Sequence, residues 1–299
     1  MNLRPFRTED LDAVVELFRA ISVAAYGFDD QPREETERWF ALPRLDYERD
    51  TRLAFDEGRL LGYADVDTED EGTTWWTDLR VAPDADPAVV IPPLLAWLER
   101  RAGSGTVRLW APTPLAALRA EFEAHGFRRI RGSYRMQIAL DGALEEPVLP
   151  DGIEIRTLQP GQERLAYEVH QETFEDSWAH TREPYEEWRH YLVETESFDP
   201  SLWFLAVERG EVVAVALCRD RGGGGFVGVL GVRRSWRRQG VGRALLLHAF
   251  REFARRGFDR VALGVDAESL TGANRLYESV GMRVIRQLDF FEKELRGRR

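Results

Sequence analysis

The last third of the chain alternates between short apolar runs and a longer apolar run. Apolar residues dominate 226–232 and again 260–266, and each run has the length of a buried strand. Between them, Ala244-Leu245-Leu246-Leu247 opens a run that is typical of a helix, and a last strand is predicted over 283–295. The pattern therefore predicts a turn from a strand into a helix N-terminus near residue 240.

This turn carries the residues Arg237-Arg238-Gln239-Gly240-Val241-Gly242. A glycine-bearing turn at a helix N-terminus presents several backbone N–H groups in one direction, which favours a phosphate or pyrophosphate ligand. Its two glycines let the backbone approach an anion closely, and Arg243 adds positive charge to that of the two arginines in the turn. The string alone is equally compatible with a structural helix cap. It also lacks the lysine of a nucleotide triphosphate loop and the third glycine of a dinucleotide fold.

The pattern of the second half also occurs in the first half. Each half opens with a strand and a helix, followed by a second helical segment and a hairpin with a charged turn that contains glycine. The opening strands are 2–7 and 153–158, the first helices 9–25 and 162–178, the second helices 34–40 and 184–193, and the hairpins 52–63 and 203–216. The chain is therefore predicted to be an internal repeat with a period near half its length.

A linker is predicted between the two repeats. Residues 141–152 contain two prolines, two glycines and several acidic residues, a composition typical of an exposed connection. We place the domain boundary near residue 148, which gives predicted domains 1–147 and 148–299.

Composition excludes several classes of protein. At 299 residues the chain is long enough for two domains, and its formal net charge of −11 disfavours a nucleic-acid-binding protein. No segment approaches the roughly 18 apolar residues of a membrane span, and the N-terminus lacks the apolar run of a secretory signal. The single cysteine, Cys218, excludes an internal disulfide and is expected to be a small buried side chain. These features predict a cytoplasmic protein.

A second motif lies downstream of the phosphate turn. It reads Ala273-Asn274-Arg275-Leu276-Tyr277-Glu278-Ser279-Val280-Gly281-Met282. With this segment and the R-x-x-G-x-G turn at this separation, the chain resembles the GNAT superfamily of acyltransferases, clearly over 151–299 and more faintly before it. The tandem arrangement resembles that of mycothiol synthase. The resemblance implies an α/β fold (an α+β mixed sheet) with two tandem GNAT-like domains, each a twisted mixed sheet flanked by helices.

The resemblance also implies how acetyl-CoA would be held as co-substrate. Two neighbouring parallel strands, 226–232 and 260–266, would separate to admit the pantetheine arm, and a backbone N–H near Leu230 or Gly231 would stabilise the oxyanion. The amides of residues 239–243 would hold the pyrophosphate. The implied cofactor-binding residues are Leu230, Val232, Arg237, Arg238, Gln239, Gly240, Val241, Gly242, Arg243 and Asn274.

Asn274 and Tyr277 lie three positions apart, and so on one face of a helix. By resemblance, Asn274 contacts the cofactor arm, and the hydroxyl of Tyr277 lies beside the cofactor sulfur. A phenol with a pKa of about 10 is suited to protonate the thiolate of a thiol with a pKa of about 8.5, so Tyr277 is predicted to be the general acid. The alternatives are a helix N-cap for Asn274 and a core aromatic for Tyr277.

A general base is harder to place. Some relatives, mycothiol synthase among them, carry a glutamate early in the strand before the phosphate turn, where this chain has Gly224-Gly225-Phe226. The candidates are Glu175 and Asp176, with His180 nearby, and each could take a proton directly or through water. The alternative for all three is a solvated, acidic helix end.

The first repeat lacks the chemistry of the second. Residues 82–93, the counterpart of the phosphate turn, contain neither a glycine pair nor an arginine, and their prolines remove N–H donors. Asp84 and Asp86 would repel a pyrophosphate, and Phe122, near the position that matches Tyr277, has no hydroxyl. We expect the first repeat to shape the substrate cleft or to act as a structural partner, in preference to a second active site.

These observations predict an N-acyltransferase, most simply an acetyltransferase that moves an acetyl group to a primary amine by direct attack. The acceptor is expected to be a small-molecule or peptide amine, with no metal, nucleic acid or membrane involved, and the protein to be a monomer or homodimer. One alternative is a non-catalytic acyl-CoA-binding or sensor protein. Another is a transferase for a different acyl chain, such as a succinyl or longer fatty acyl group.

Overall fold

The computed structural model describes residues 1–29, 31–42, 45–68, 73–178, 180–269 and 272–296. In the first half the strands are β1 (Asn2–Arg4), β2 (Thr51–Asp56), β3 (Arg59–Asp65), β4 (Asp67–Thr68), β5 (Thr74–Thr77), β6 (Leu79–Val81), β7 (Gly105–Pro112) and β8 (Arg128–Ala139). The helices there are α1 (Leu11–Tyr26), α2 (Arg33–Phe40), α3 (Tyr47–Asp50), α4 (Pro87–Ala102) and α5 (Ala116–Ala124).

The second half follows a similar order. Its strands are β9 (Ile153–Thr157), β10 (Trp203–Glu208), β11 (Glu211–Arg221), β12 (Gly224–Val232), β13 (Arg260–Asp266) and β14 (Arg283–Leu295). Its helices are α6 (Glu163–Phe174), α7 (Tyr185–Leu192), α8 (Val241–Arg255) and α9 (Ala273–Ser279). Short 3-10 helices cover Thr8–Asp10, Pro200–Leu202 and Arg234–Trp236.

The two predicted hairpins share one turn geometry. Glu57 and Gly58 have φ angles of 48° and 84°, and Arg209 and Gly210 have 49° and 86°. Positive φ at both central residues of a two-residue loop is the type I′ turn, whose twist matches that of the flanking strands. Each hairpin also has a register shift at the same place, after Ala54 in one and after Ala206 in the other. The predicted internal repeat is therefore visible in the backbone.

The chain divides into two compact units. The two sequence repeats exchange strands, so each unit contains strand residues from both repeats. Unit 1 comprises Met1–Ser133 and Arg286–Arg299, and unit 2 comprises Tyr134–Ile285. In unit 1, β14 pairs antiparallel with β7 from Leu288↔Pro112 to Leu295↔Gly105, which places Phe291 in the core. In unit 2, Met136 of β8 is buried in the core beside α8. The boundary at 147/148 stays a prediction about the two sequence repeats, and the compact units divide inside β8 and β14.

Unit 2 is a mixed sheet with helices on both faces. Its strands follow the order β13-β12-β11-β10-β9, parallel between β12 and β13 and antiparallel elsewhere. The apolar side of α8 is buried on one face, and α6 and α7 are buried on the other. Unit 1 has an antiparallel sheet, β1-β2-β3-β6, and a mixed one, in which β7 pairs parallel with β5 and antiparallel with β14. The predicted α/β class with mixed sheets flanked by helices is confirmed.

In the described part of the chain, no helix is both long and apolar enough to cross a membrane. Even α8, which has an apolar face, carries Arg243, Arg251 and Arg255 along its length.

A buried carboxyl group lies in the core of unit 1. Asp65 is 5% exposed, and its two oxygens accept hydrogen bonds from the Tyr63 hydroxyl at 2.7 Å and from the Asp78 N–H at 2.8 Å. The Tyr63 hydroxyl in turn accepts from Trp39 Nε1 at 3.2 Å. Burial, reinforced by the charge of Asp78, raises the pKa of Asp65 to about 8. Folded unit 1 therefore holds a proton at neutral pH that an unfolded chain, with a pKa of about 3.9, has released.

This difference predicts a pH-dependent stability. Between about pH 4 and pH 8 the folded state binds more protons than the unfolded state, so the Asp65 contribution to stability falls as pH rises through that window. Asp65→Asn removes this contribution. We expect the melting temperature of the variant, relative to the unmodified protein, to be higher at pH 8.5 than at pH 5.5.

The matched control is Asp84→Asn. The hydrogen bond from Arg59 lowers the pKa of exposed Asp84, so its carboxyl group is ionised in both states above pH 5.5 and the substitution should leave the pH slope unchanged. Parallel melting curves for Asp65→Asn and the unmodified protein at both pH values would contradict the assignment.

Candidate functional site

Strand β12 parts from its parallel neighbour halfway along its length. Pairing with β13 is present from Gly225↔Val261 to Val227↔Leu263, and in the described strands it does not extend further. On the other side of β12, Leu217 and Cys218 of β11 lie opposite Val229 and Val227, which leaves Gly228 as an extra residue. Such a bulge bends a strand and interrupts its ladder. The separation therefore begins at Gly228, and it lies between the two strands that the family resemblance implied would separate.

Where β12 and β13 part, backbone groups on the side of β12 that faces away from β11 have no partner in a described strand. Arg233 N–H donates to Val213 O at 3.0 Å, and antiparallel pairs alternate in direction, so Gly231 and Val229 also face β11. Leu230 and Val232 consequently point their N–H and C=O groups away from β11. The Val232 carbonyl accepts from Arg237 Nε at 2.9 Å. Both groups of Leu230 and the N–H of Val232 therefore form an edge to which an extended ligand can add.

The turn after β12 leads into an uncapped helix. Arg238 and Gly240 have φ angles of 63° and 90°, and α8 begins at Val241 with no side chain capping it. Its first backbone hydrogen bond runs from Ala244 N–H to Gly240 O at 2.9 Å. The N–H groups of residues 241–243 therefore precede the helical ladder, and the helix dipole adds to their affinity for an anion.

The helix N-terminus lies close to both the open strand and α9. A Cβ placed on Gly242 would lie 3.3 Å from Val232 Cγ2 and 3.7 Å from Leu276 Cδ2. This close packing brings together three segments that the sequence analysis placed in one site: the end of β12, the start of α8, and the helix that carries Asn274 and Tyr277.

The polar side chains of the turn have different partners. Arg237 donates to Val232 O, to Thr173 O at 3.1 Å and to Asp176 at 2.9 Å, so its guanidinium ties β12 to the end of α6. Gln239 Nε2 donates to Ser235 O at 2.8 Å. The side chains of Arg237 and Gln239 are thus bonded to main-chain carbonyl groups, while the N–H groups of residues 241–243 precede the helical ladder.

Asn274 and Tyr277 both lie on α9. Asn274 Nδ2 donates to Asp266 O at 3.1 Å and to Ala267 O at 2.9 Å, while its Oδ1 is buried without a hydrogen-bond partner. The N-cap of α9 is Gly272, so the alternative N-cap role for Asn274 does not apply. Tyr277 is 7% exposed in the core beside α8, and burial raises the pKa of its hydroxyl to about 12. Thr271, two residues before α9, lies outside the described residues.

The acidic candidates at the end of α6 are in different environments. Hydrogen bonds from Arg234 and Arg237 lower the pKa of Asp176 and hold its carboxylate in a two-arginine ion pair. Glu175 is exposed, and its charge raises the pKa of His180 against the larger, lowering effect of burial. Ala179, between them and His180, lies outside the described residues.

Two contacts in this region were not predicted from the sequence. Gly231 packs so tightly on Thr173 that a Cβ would lie 2.1 Å from Thr173 Oγ1. On the same helix, His170 Nδ1 accepts from Trp188 Nε1 at 2.9 Å, and burial lowers the pKa of His170 to about 4. His170 is therefore neutral at physiological pH, with its proton on Nε2. The histidine within α6 is the sequence signal that could have indicated its contact with Trp188.

In the equivalent region of unit 1, side chains of the protein fill the places that a ligand would need. Asp86 caps α4 by accepting from Ala88 N–H at 3.0 Å, so a carboxylate occupies the anion position at that helix N-terminus. The guanidinium of Arg80 lies 4.6 Å from the ring of Phe18 and 4.1 Å from that of Trp110. Phe122 is fully buried. These contacts favour the expectation that the first repeat does not bind an acyl donor.

Among residues 1–29, 31–42, 45–68, 73–178, 180–269 and 272–296, no group of three His, Cys, Asp or Glu side chains is placed to hold a metal ion. The arrangement in unit 2 is a helix N-terminus without a side-chain cap next to an open strand edge. Such a pair can hold a ligand with a phosphate group at one end and an extended, amide-bearing arm at the other.

Comparison with known proteins agrees with this geometry. The sequence model of the acetyltransferase (GNAT) family matches residues 164–282. The chain is 33% identical to a mycothiol acetyltransferase of Thermobispora bispora over 248 residues, which cover 77% of this chain and 78% of that protein. It is 30% identical to the mycothiol acetyltransferase of Amycolatopsis mediterranei over 301 residues, which cover 92% and 94% of the two chains.

Solved structures give the same result. A GCN5-related N-acetyltransferase from Sphaerobacter thermophilus matches with a TM-score of 0.83 and 32% identity, covering 99% of this chain and 96% of that one. A tandem GNAT protein from the clavulanic acid biosynthesis pathway matches with a TM-score of 0.75 and 16% identity over 100% and 99% of the chains. At that identity the second match shows the fold alone.

The Gly231–Thr173 contact gives a direct test of the site's packing. Gly231→Ala forces its new methyl group against the Thr173 side chain, and we expect it to lower the free energy of unfolding by about 1–3 kcal/mol in urea titrations. Gly264→Ala in neighbouring β13 is the control, because a Cβ there meets no atom within 4 Å. Equal stability of the two variants would show that the contact does not constrain β12.

Proposed function

The chain belongs to the GNAT family of acetyltransferases, and from this premise we propose that its second repeat moves an acetyl group from acetyl-CoA to a primary amine. The observation that carries the proposal is the close packing of an uncapped helix N-terminus against an open strand edge, with Gly242 next to Val232. One half offers N–H groups to a diphosphate, and the other offers a strand edge to an extended arm.

The side chain of Asn274 supports the binding of an amide-bearing arm. Its Oδ1 is a buried acceptor without a partner, which costs free energy unless a donor reaches it. The pantetheine arm of coenzyme A carries two amide N–H groups, and one of them can supply that donor. Because Nδ2 is already bonded to two carbonyl groups, the orientation of the side chain is fixed before the ligand binds.

We assign the donor contacts as follows. The amides of residues 239–243 bind the diphosphate, Arg238 adds positive charge, and Leu230 and Val232 pair with the arm. Gly231 N–H faces β11, so Leu230 N–H is the group that can stabilise the oxyanion formed from the thioester carbonyl. Arg237 contributes by fixing the end of β12, since its side chain is bonded to Val232 O and Thr173 O.

The chemistry needs one proton donated and one removed. The amine nitrogen attacks the thioester carbon, the C–S bond breaks, and the departing sulfur takes a proton from the Tyr277 hydroxyl. With a pKa of about 12, Tyr277 is protonated throughout the physiological range. We propose Glu175 as the group that takes the proton from the amine, directly or through water. Asp176 was an equal candidate, but its two arginine partners favour a role in holding Arg234 and Arg237.

The acceptor we propose is a small-molecule amine. The relatives named above are mycothiol acetyltransferases, so the deacetylated form of mycothiol is the first amine to test. Phe226 stands in the part of β12 where some relatives carry a carboxylate, and its ring lies 5.0 Å from the guanidinium of Arg219 and 4.6 Å from that of Arg135. This position therefore has positively charged guanidinium groups nearby and lacks the negative charge of a carboxylate. Amines with acidic groups consequently belong in the same panel.

The test is thiol release from acetyl-CoA measured against this panel of amines. We expect release that depends on an amine and yields the acetylated product. A non-catalytic acyl-CoA-binding protein is the rival. Calorimetric binding of coenzyme A without thiol release for any amine in the panel would favour that rival and overturn the proposed transfer.

Tyr277→Phe tests the general acid. The substitution removes only the hydroxyl of a buried ring, so we expect turnover to fall about tenfold or more while the affinity for acetyl-CoA is nearly unchanged. Tyr134→Phe is the matched control, because Tyr134 packs against the same core. Near-normal turnover in Tyr277→Phe would remove the assignment.

A further inference from the structure

The segment between the repeats, residues 141–149, lies along α8. Leu144 and Leu149 pack against the core of unit 2, and Leu144 O accepts from Arg251 Nη1 at 3.3 Å. Most other side chains of residues 141–149 are exposed, as expected of a linker. The apolar contacts therefore fix where the two carboxylates that follow Leu144 can reach.

These carboxylates form two ion pairs with α8. Glu145 is bonded to Arg243 through both of its oxygens, at 2.8 Å and 2.6 Å, and Glu146 lies 2.7 Å from Arg251. The hydrogen bond from Arg243 lowers the pKa of Glu145. The pairs are alike in chemistry but differ in place. Arg243 is in the first turn of α8, and Arg251 lies eight residues further on, about 12 Å along the axis.

We propose that Glu145 is a built-in competitor for the acyl donor, because its carboxylate occupies the guanidinium that a phosphate group of coenzyme A would take. The inference rests on the proposed function, which places that phosphate at the N-terminus of α8. Binding of the donor then releases Glu145, and with it one of the contacts between the linker and the helix.

The competition follows from geometry and charge. A guanidinium fork binds one carboxylate or one phosphate in the two-bond arrangement that Glu145 now uses. A phosphate at the N–H groups of residues 241–243 would also share the first turn of α8 with the guanidinium that Glu145 holds, and the two like charges would repel each other. Glu146 should neither compete with a phosphate for Arg243 nor repel it, because its partner Arg251 is remote from the helix N-terminus.

Glu145→Gln keeps the size of the side chain and removes its charge. We expect the dissociation constant for coenzyme A, measured by calorimetry, to fall about two- to fivefold, the range for an exposed ion pair. The gain should shrink in high salt. Glu146→Gln is the matched control and should leave the constant unchanged. Melting temperatures of both variants, expected to equal that of the unmodified protein, check that the fold is intact.

Repeating the titration with coenzyme A that lacks its ribose 3′-phosphate identifies the competing group. A gain that persists assigns the diphosphate, and a gain that disappears assigns the ribose phosphate; either supports the proposal. Equal affinities of Glu145→Gln and the unmodified protein, or the same gain in Glu146→Gln, would overturn it while the proposed function stands. Absence of coenzyme A binding in all three proteins would overturn the proposed function and this inference together.

Discussion

The site depends on one interrupted ladder, the bulge at Gly228 where β12 loses its pairing with β13. Backbone N–H and C=O groups need partners wherever they are placed, and the interruption leaves those of Leu230 and the N–H of Val232 on a free side. The surrounding elements are arranged about this edge. Arg237 closes its far end at Val232 O, α8 begins next to it, and α9 supplies an amide oxygen that still needs a donor.

The two repeats show how few residues separate a site from a scaffold. Both have a strand, a turn and a helix in the same order, and both have hairpins with the same turn. In the second repeat the N-cap of α8 is Gly240, which has no side chain to accept from the first N–H groups, whereas in the first repeat the Asp86 carboxylate accepts from Ala88 N–H at the start of α4. Arg80, stacked on aromatic rings, stands near the position that Gly231 has in the other repeat.

Local patterns in the sequence predicted most of the elements and indicated which segments would form the candidate site. The last strand was predicted over 283–295 and is Arg283–Leu295, and the helix predicted over 184–193 is Tyr185–Leu192. The glycine turn and the Asn274–Tyr277 spacing have local signatures as well. Contacts between distant residues could not be predicted, because a surface arginine has no sequence signal for its partner. The pair Arg243–Glu145 spans 98 residues and Arg237–Asp176 spans 61, and the strand exchange joins residues further apart still.

The strand exchange also has a consequence for how the protein is made. A chain emerges from the ribosome with its N-terminal part first, and domains generally fold in that order. Here unit 2 is complete once residue 285 has been synthesised, but unit 1 waits for β14, which pairs with β7 and buries Phe291. The half that is translated first is therefore the half that finishes folding last, and until then its β7 edge and the apolar surface around Phe122 need protection from aggregation.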